Sequence, residues 1–166
     1  MAFRLGAEIN PKFVKYNLID HGFLLNLLGI GDSTNSIVKE LLVDNAADLV
    51  DKGSLTEMVA GLELLKYMSP NERHDLYYWQ NLTRGTVSEV DYVLSRGIDI
   101  VPMEVKSGLR GSMASLYVFM EKEHIKYAIR CSLENFGEFV SPKGKKILVN
   151  PLYAISNLFS CGERLL

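Results

Sequence analysis

The sequence predicts an α/β fold, helices on a mixed sheet in the order α-β-β-β-α-β, and three observations predict it. Residues 53–68, GSLTEMVAGLELLKYM, repeat apolar residues at helical spacing. Three short runs rich in β-branched and aromatic residues follow, DLYYWQNL, SEVDYVLS and IDIVPMEVKS, separated by turn formers. A second helical pattern then intervenes before KYAIRCSL, and a strand, a helix and a strand in succession are how a parallel pair is made.

Taken in order, KFVKYNLIDHGFLLNLLGIG (residues 12–31) opens as a strand-like piece and turns helical near Gly22, and Ser33 to Lys52 is again helical, so an N-terminal helical extension is expected. In the next helix Leu55, Met58, Val59, Leu62 and Leu65 make one buried stripe, and SLTE forms a capping box with Ser54 as N-cap and Glu57 reaching back to its N–H. The tight connection SRGID predicts an antiparallel hairpin between the second and third strands. Met113, Leu116, Tyr117 and Met120 keep helical spacing in the later helix. A peripheral strand in KKILVNPLY and a short helix AISNL close the chain.

A chain of 166 residues is most economically one domain over 1–166, and 48% hydrophobic with 23% charged residues supports a core and excludes disorder. Net charge is −2, so there is no global basic field of a nucleic-acid binder. The balance is uneven: residues 1–83 hold 7 Lys/Arg against 11 Asp/Glu and residues 84–166 hold 11 against 9, which directs any polyanion to the second half. Cys131 and Cys161 are too few for a disulfide framework, and GFLLNLLGI is too short to span a membrane, so a cytoplasmic protein with free thiols is expected.

The strands carry acids where apolar residues would pack better. Side chains alternate along a strand, so Glu104 and Lys106 share one face, and Asp91 shares its face with Glu89 and Val93 while Val90, Tyr92 and Leu94 can bury. Pairing in the hairpin brings Asp91 toward Glu104. Converging carboxylates repel unless a cation neutralises them, and hard oxygen ligands select Mg²⁺ or Mn²⁺. Such a cluster beside a lysine suits hydrolysis of a phosphodiester.

Asp91, then Glu104-Val105-Lys106 on the next strand, preceded by a helix carrying Glu57, resembles the active-site pattern of the PD-(D/E)XK, or restriction-endonuclease-like, nucleases. More narrowly, KYNLIDHGFLLNLLG, GSLTEMVAGLELL, LYYWQN, EVDYVL and IVPMEVKSG, in this order, look like the C-terminal domain of a large family of bacterial and archaeal AAA-type ATPases, a domain of unknown function. The resemblance implies metal ligation by Asp91, Glu104 and the backbone carbonyl of Val105, a water oriented by Lys106, and Glu57 assisting at the rim. It implies a nucleic-acid substrate, DNA before RNA, and work with an ATPase module. The chain has no GxxxxGK[S/T] loop, so it reads as an excised C-terminal piece. The alternative is a catalytically inactive module of the same fold that binds nucleic acid or protein and regulates the ATPase.

Plainer readings stand beside these. Glu104 and Lys106 can be a simple ion pair, and Glu89 a solvated strand end or an alternative ligand. Tyr77, Tyr78 and Trp79 read as core and cross-strand packing before base stacking. Arg110, Lys143, Lys145 and Lys146 are candidate phosphate contacts or solvated charges. His21, His74 and His124 share no ligand spacing.

Overall fold

The computed structural model describes residues 5–6, 9–20, 22–23, 26, 52–71, 74–83, 86–96, 98–121 and 125–158. The expected N-terminal helices fall almost wholly outside these residues, as do Cys161, His21 and His124.

Helix α1 (Lys52–Tyr67) leads into strands β1 (Tyr77–Thr83), β2 (Thr86–Arg96) and β3 (Asp99–Val105). Helix α2 (Ala114–Met120), strands β4 (Tyr127–Ser132), β5 (Gly137–Val140) and β6 (Lys146–Pro151), and a 3-10 helix (Leu152–Leu158) complete the order. The strands form one mixed six-stranded sheet in the order β1-β2-β3-β4-β6-β5. Pairing is antiparallel from β1 through β3, parallel for β3–β4 and β4–β6, and antiparallel again for β5–β6. The expected hairpin is present, with Arg96 opposite Asp99, and α2 is the crossover between the parallel strands β3 and β4.

Pro102 lies in β3, which is flanked by strands on both sides, a place where proline's missing N–H is costly. Pairing to β4 begins one residue later, at Met103 opposite Ile129, so at Pro102 β3 still has an open side.

Alternation along β3 and β4 sends side chains to two apolar clusters. One packs Val101, Met103, Val105, Ile129 and Cys131 against Ala60 and Leu64 of α1 and Ile155 and Leu158 of the 3-10 helix. The other packs Val90, Val93 and Ala128 against Leu116, Phe119 and Met120 of α2. Helices thus flank the sheet, as the α/β reading expects. Burial raises the Cys131 thiol to about 11, so it stays protonated inside the first cluster.

Five expectations need correction. The strand-like piece near residue 12 forms no strand: residues 13–18 are irregular. Ser54 is not an N-cap, because α1 already includes Lys52 and Gly53, and the Glu57 carboxylate reaches Lys15 instead. The buried face of α1 runs through Ala60, Gly61 and Leu64, whereas Val59 and Leu65 are 40% and 37% exposed. That rotation places Glu57, one turn earlier, on the same side as the buried residues. The strand in KKILVNPLY is interior, between β4 and β5, and the edge belongs to GEFV, a fully exposed four-residue strand that no period-2 pattern announces. Finally, the alternation around Asp91 breaks. Between Tyr77 opposite Val93 and Trp79 opposite Val90, β2 uses one residue more than β1, a β-bulge at Asp91 and Tyr92. The bulge puts Val90 in the α2 cluster with Val93 while Tyr92 joins the α1 cluster.

Candidate metal centre

The bulge adds Tyr92 to the face of β2 that carries the acids. Glu89 and Asp91, with Glu57 of α1, offer carboxylate oxygens that all lie within 4.8 Å of one another. They line an open hollow of about 440 Å³ together with Lys15, Asn17 and Tyr92. Glu57 is held in place by its backbone, whose carbonyl accepts the Tyr92 hydroxyl at 2.7 Å. Asn17 bonds the same hydroxyl, and burial pushes Tyr92 up to about 12, so it remains a donor. The approach is tight: a Cβ at Gly61 would stand 2.4 Å from the Tyr92 oxygen and 2.5 Å from Asn17 Nδ2.

Asp91 also closes the β2–β3 pairing. The last paired residues are Tyr92 and Met103, and beyond them the Val105 N–H donates to Asp91 Oδ2 at 2.7 Å. The carboxylate ends the ladder while taking up the N–H that would otherwise be orphaned. Burial, then the Glu104 charge, raise the Asp91 carboxyl to about 7, against the opposing pull of the Val105 N–H.

Glu104 is 5% exposed. Its Oε1 accepts from Lys106 Nζ at 2.5 Å, whereas Oε2 is buried with no hydrogen-bond partner among the described residues. Burial raises its pKa, the Lys106 hydrogen bond lowers it, and Glu57 raises it further. Gly111 gives the lysine room, since a Cβ there would meet Lys106 Cδ at 2.7 Å. Arg130, beside Glu104 in the parallel register, turns to Glu134 Oε2 at 2.7 Å and to the Leu109 carbonyl at 2.8 Å, fixing the loop that carries Gly111.

The structure therefore brings together Glu57, Asp91, Glu104 and Lys106, and gives Val105 the role of a backbone donor to Asp91. Glu89 is no solvated strand end: it pairs with Lys15 and joins the cluster. Lys15 is the residue that sequence reasoning passed over. Its ammonium lies 2.6 Å from Glu57 Oε1, contacts Glu89 Oε1, and stands 4.9 Å above the Tyr78 ring. Burial opposes its charge, but the hydrogen bonds to Glu57 and Glu89 prevail and hold its pKa above the usual value. The only sequence signal was a lysine amid FVKYNLI, which also fits an exposed strand.

The remaining candidates are dispersed. Trp79 packs edge-on against Phe119 at 5.2 Å, as core packing requires. Lys143 pairs with Glu121, Lys145 Nζ donates to the Ile125 carbonyl at 2.9 Å, and Lys146 pairs with Glu138 at 2.8 Å. Arg110 is exposed on the loop after Lys106. Among the described residues no helix is long and apolar enough to cross a membrane.

No curated protein and no solved structure matches the chain. A family model described as "Domain of unknown function (DUF4143)" matches residues 52–155, from the start of α1 into the 3-10 helix. That span contains all four carboxylates of the site and Lys106, and leaves out the segment bearing Lys15. The chain belongs to this family of domains of unknown function.

Proposed function

We propose that the domain is a restriction-endonuclease-like, Mg²⁺- or Mn²⁺-dependent nuclease domain that hydrolyses phosphodiesters, DNA before RNA, in partnership with an AAA-type ATPase module. The observation that carries this reading is Glu104 Oε2, a buried carboxylate oxygen without a partner among the described residues, beside an Asp91 whose carboxyl is lifted to about 7. An orphaned buried acceptor costs roughly 1–3 kcal/mol, and more when charged, unless something else satisfies it. The donor set is all oxygen and crowded, the chemistry that fits a hard divalent cation.

Asp91 and Glu104 would hold the ion, with Glu57 and Glu89 as further oxygen ligands at its rim. A bound ion supplies stabilisation of charge developing on phosphate oxygens and a lower pKa for a neighbouring water. The residues of the chain do the rest. Lys106, fixed on Glu104, offers its remaining N–H donors to orient a water. Val105 holds Asp91 at a set angle through its N–H.

The test is incubation of the chain with single- and double-stranded DNA and with RNA, plus Mg²⁺ or Mn²⁺, beside Asp91→Ala. Metal-dependent cleavage lost in the variant supports the reading; no cleavage of any substrate, or cleavage that survives the substitution, overturns it.

A second reading, a non-catalytic module that regulates the ATPase, is favoured by one observation. Lys143 and Lys146 are paired with Glu121 and Glu138, and Lys145 with the Ile125 carbonyl, so these three candidate phosphate contacts are already engaged within the domain.

A further inference from the structure

The carboxylates of the site already have a cation, and it is covalently part of the chain. Lys15 Nζ sits 2.6 Å from Glu57 Oε1 and also contacts Glu89 Oε1, the two acids that lie within 4.8 Å of each other and of Asp91. The charge of the ammonium is felt in turn by Glu104, whose Oε2 has no partner among the described residues. An ammonium has three donors, and here two go to two different acids. The lysine therefore does the electrostatic work of a counter-ion at the place where a divalent ion would be needed.

The segment that delivers it is lightly anchored. Val14 and Tyr16, on either side, are 59% and 86% exposed, and residues 13–18 have no regular structure. Among the described residues, Lys15 and Asn17 tie it to the folded domain through their side chains, the latter on the Tyr92 hydroxyl. The Lys15 side chain is 35% exposed, so solvent reaches the pair it would have to leave. Two positive charges at one set of carboxylates repel, and a divalent ion offers each oxygen a stronger field than a shared ammonium.

We propose that Lys15 is a tethered competitor for the metal centre: a divalent cation and the Lys15 ammonium exchange for Glu57 and Glu89, and metal binding releases the strap of residues 13–17. This rests on the metal reading of the site given above. The exchange makes divalent affinity a property of the strap as well as of the carboxylates. It leaves the freed ammonium, tethered beside the hollow, able to meet the phosphate of a substrate.

The test titrates Mn²⁺ into the full chain by calorimetry for wild type, Lys15→Met, Lys15→Arg and Lys12→Met. Lys12 immediately precedes the strap and lies outside the cluster. The expected result is Mn²⁺ affinity about tenfold tighter in Lys15→Met and within roughly threefold of wild type in the other two. Backbone amide exchange of residues 13–17 in the wild type should accelerate at saturating Mn²⁺, a measurement that holds even if Lys15→Met misfolds. Equal affinity in wild type and Lys15→Met, or unaltered exchange in the strap with Mn²⁺ bound, overturns the exchange while the metal reading stands. No Mn²⁺ binding by any variant overturns the metal reading, and the exchange with it.

Discussion

At the scale of residues the site is a set of unfavourable charges held where the fold demands them. Asp91 titrates near 7 when folded, against 3.8 for the unperturbed group. Its carboxyl therefore binds a proton more tightly folded than unfolded, and the sign follows. There is no cost below the lower value, a growing cost as pH rises between the two, and the full cost above about 7. Asp91→Asn removes the charge and keeps an oxygen to accept from Val105. In EDTA the variant should be more stable than wild type by about 1–3 kcal/mol at pH 8, with the gain shrinking toward zero near pH 4. Urea unfolding at several pH values reads this, and a pH-independent difference would contradict it. Lys106→Met tests the neighbouring pair from the other side. It strands Glu104 without the cation that hydrogen-bonds it, so a loss of about 1–3 kcal/mol is expected at pH 8. That loss should diminish on acidification, because the raised Glu104 pKa lets the proton replace the lysine.

Elements decide whether those residues can meet, and the bulge in β2 is the decisive one. It turns Tyr92 toward α1, where its hydroxyl bridges the Glu57 carbonyl and Asn17, so one tyrosine ties the sheet, the helix and the strap together. Gly61 permits this approach. In an ordinary helix interior Gly→Ala stabilises by about 1 kcal/mol. Here Gly61→Ala should destabilise, because the new Cβ would collide with the hydroxyl of a tyrosine 5% exposed and unable to withdraw. Tyr92→Phe should itself cost about 1 kcal/mol and reduce the cost of Gly61→Ala by a similar amount, a coupling that a double-mutant cycle measures. The same elements show what the sequence could and could not convey. β1 to β4 and α2 were legible because β-branched runs and helical spacing report burial directly, and the converging Asp91 and Glu104 followed from the hairpin register. The bulge was not legible, since an extra residue in one strand depends on its partner and leaves no mark in its own pattern. Nor was Lys15, whose role exists only once residue 57 and residue 89 are neighbours. The face of α1 was misread because Ala60 and Gly61, too small to register as a hydrophobic stripe, are what let the helix lie close to the sheet.

For the whole molecule the carboxylates of positions 57, 89 and 91 cluster only on folding, and that of position 104 comes within reach of their charge. The unfolded chain scatters them, so on the proposed metal reading a divalent ion binds the native state alone and stabilises it by mass action. At a free Mn²⁺ concentration about 100 times its dissociation constant the gain is about 2.7 kcal/mol, which for a domain of this size raises Tm by roughly 5–10 °C. The rise should grow with the logarithm of Mn²⁺ concentration above the dissociation constant, which separates site binding from a general salt effect. Asp91→Ala should abolish most of it, although that variant is also relieved of charge repulsion and begins from a different Tm. Sodium at equal ionic strength controls for screening of the −2 net charge, which is too small to give a large response. A scanning calorimetry series in Mn²⁺, Mg²⁺ and Na⁺ decides the matter: equal shifts for all three cations, or an undiminished shift in Asp91→Ala, would mean that the acids are neutralised from within, by Lys15 and Lys106, and need no metal.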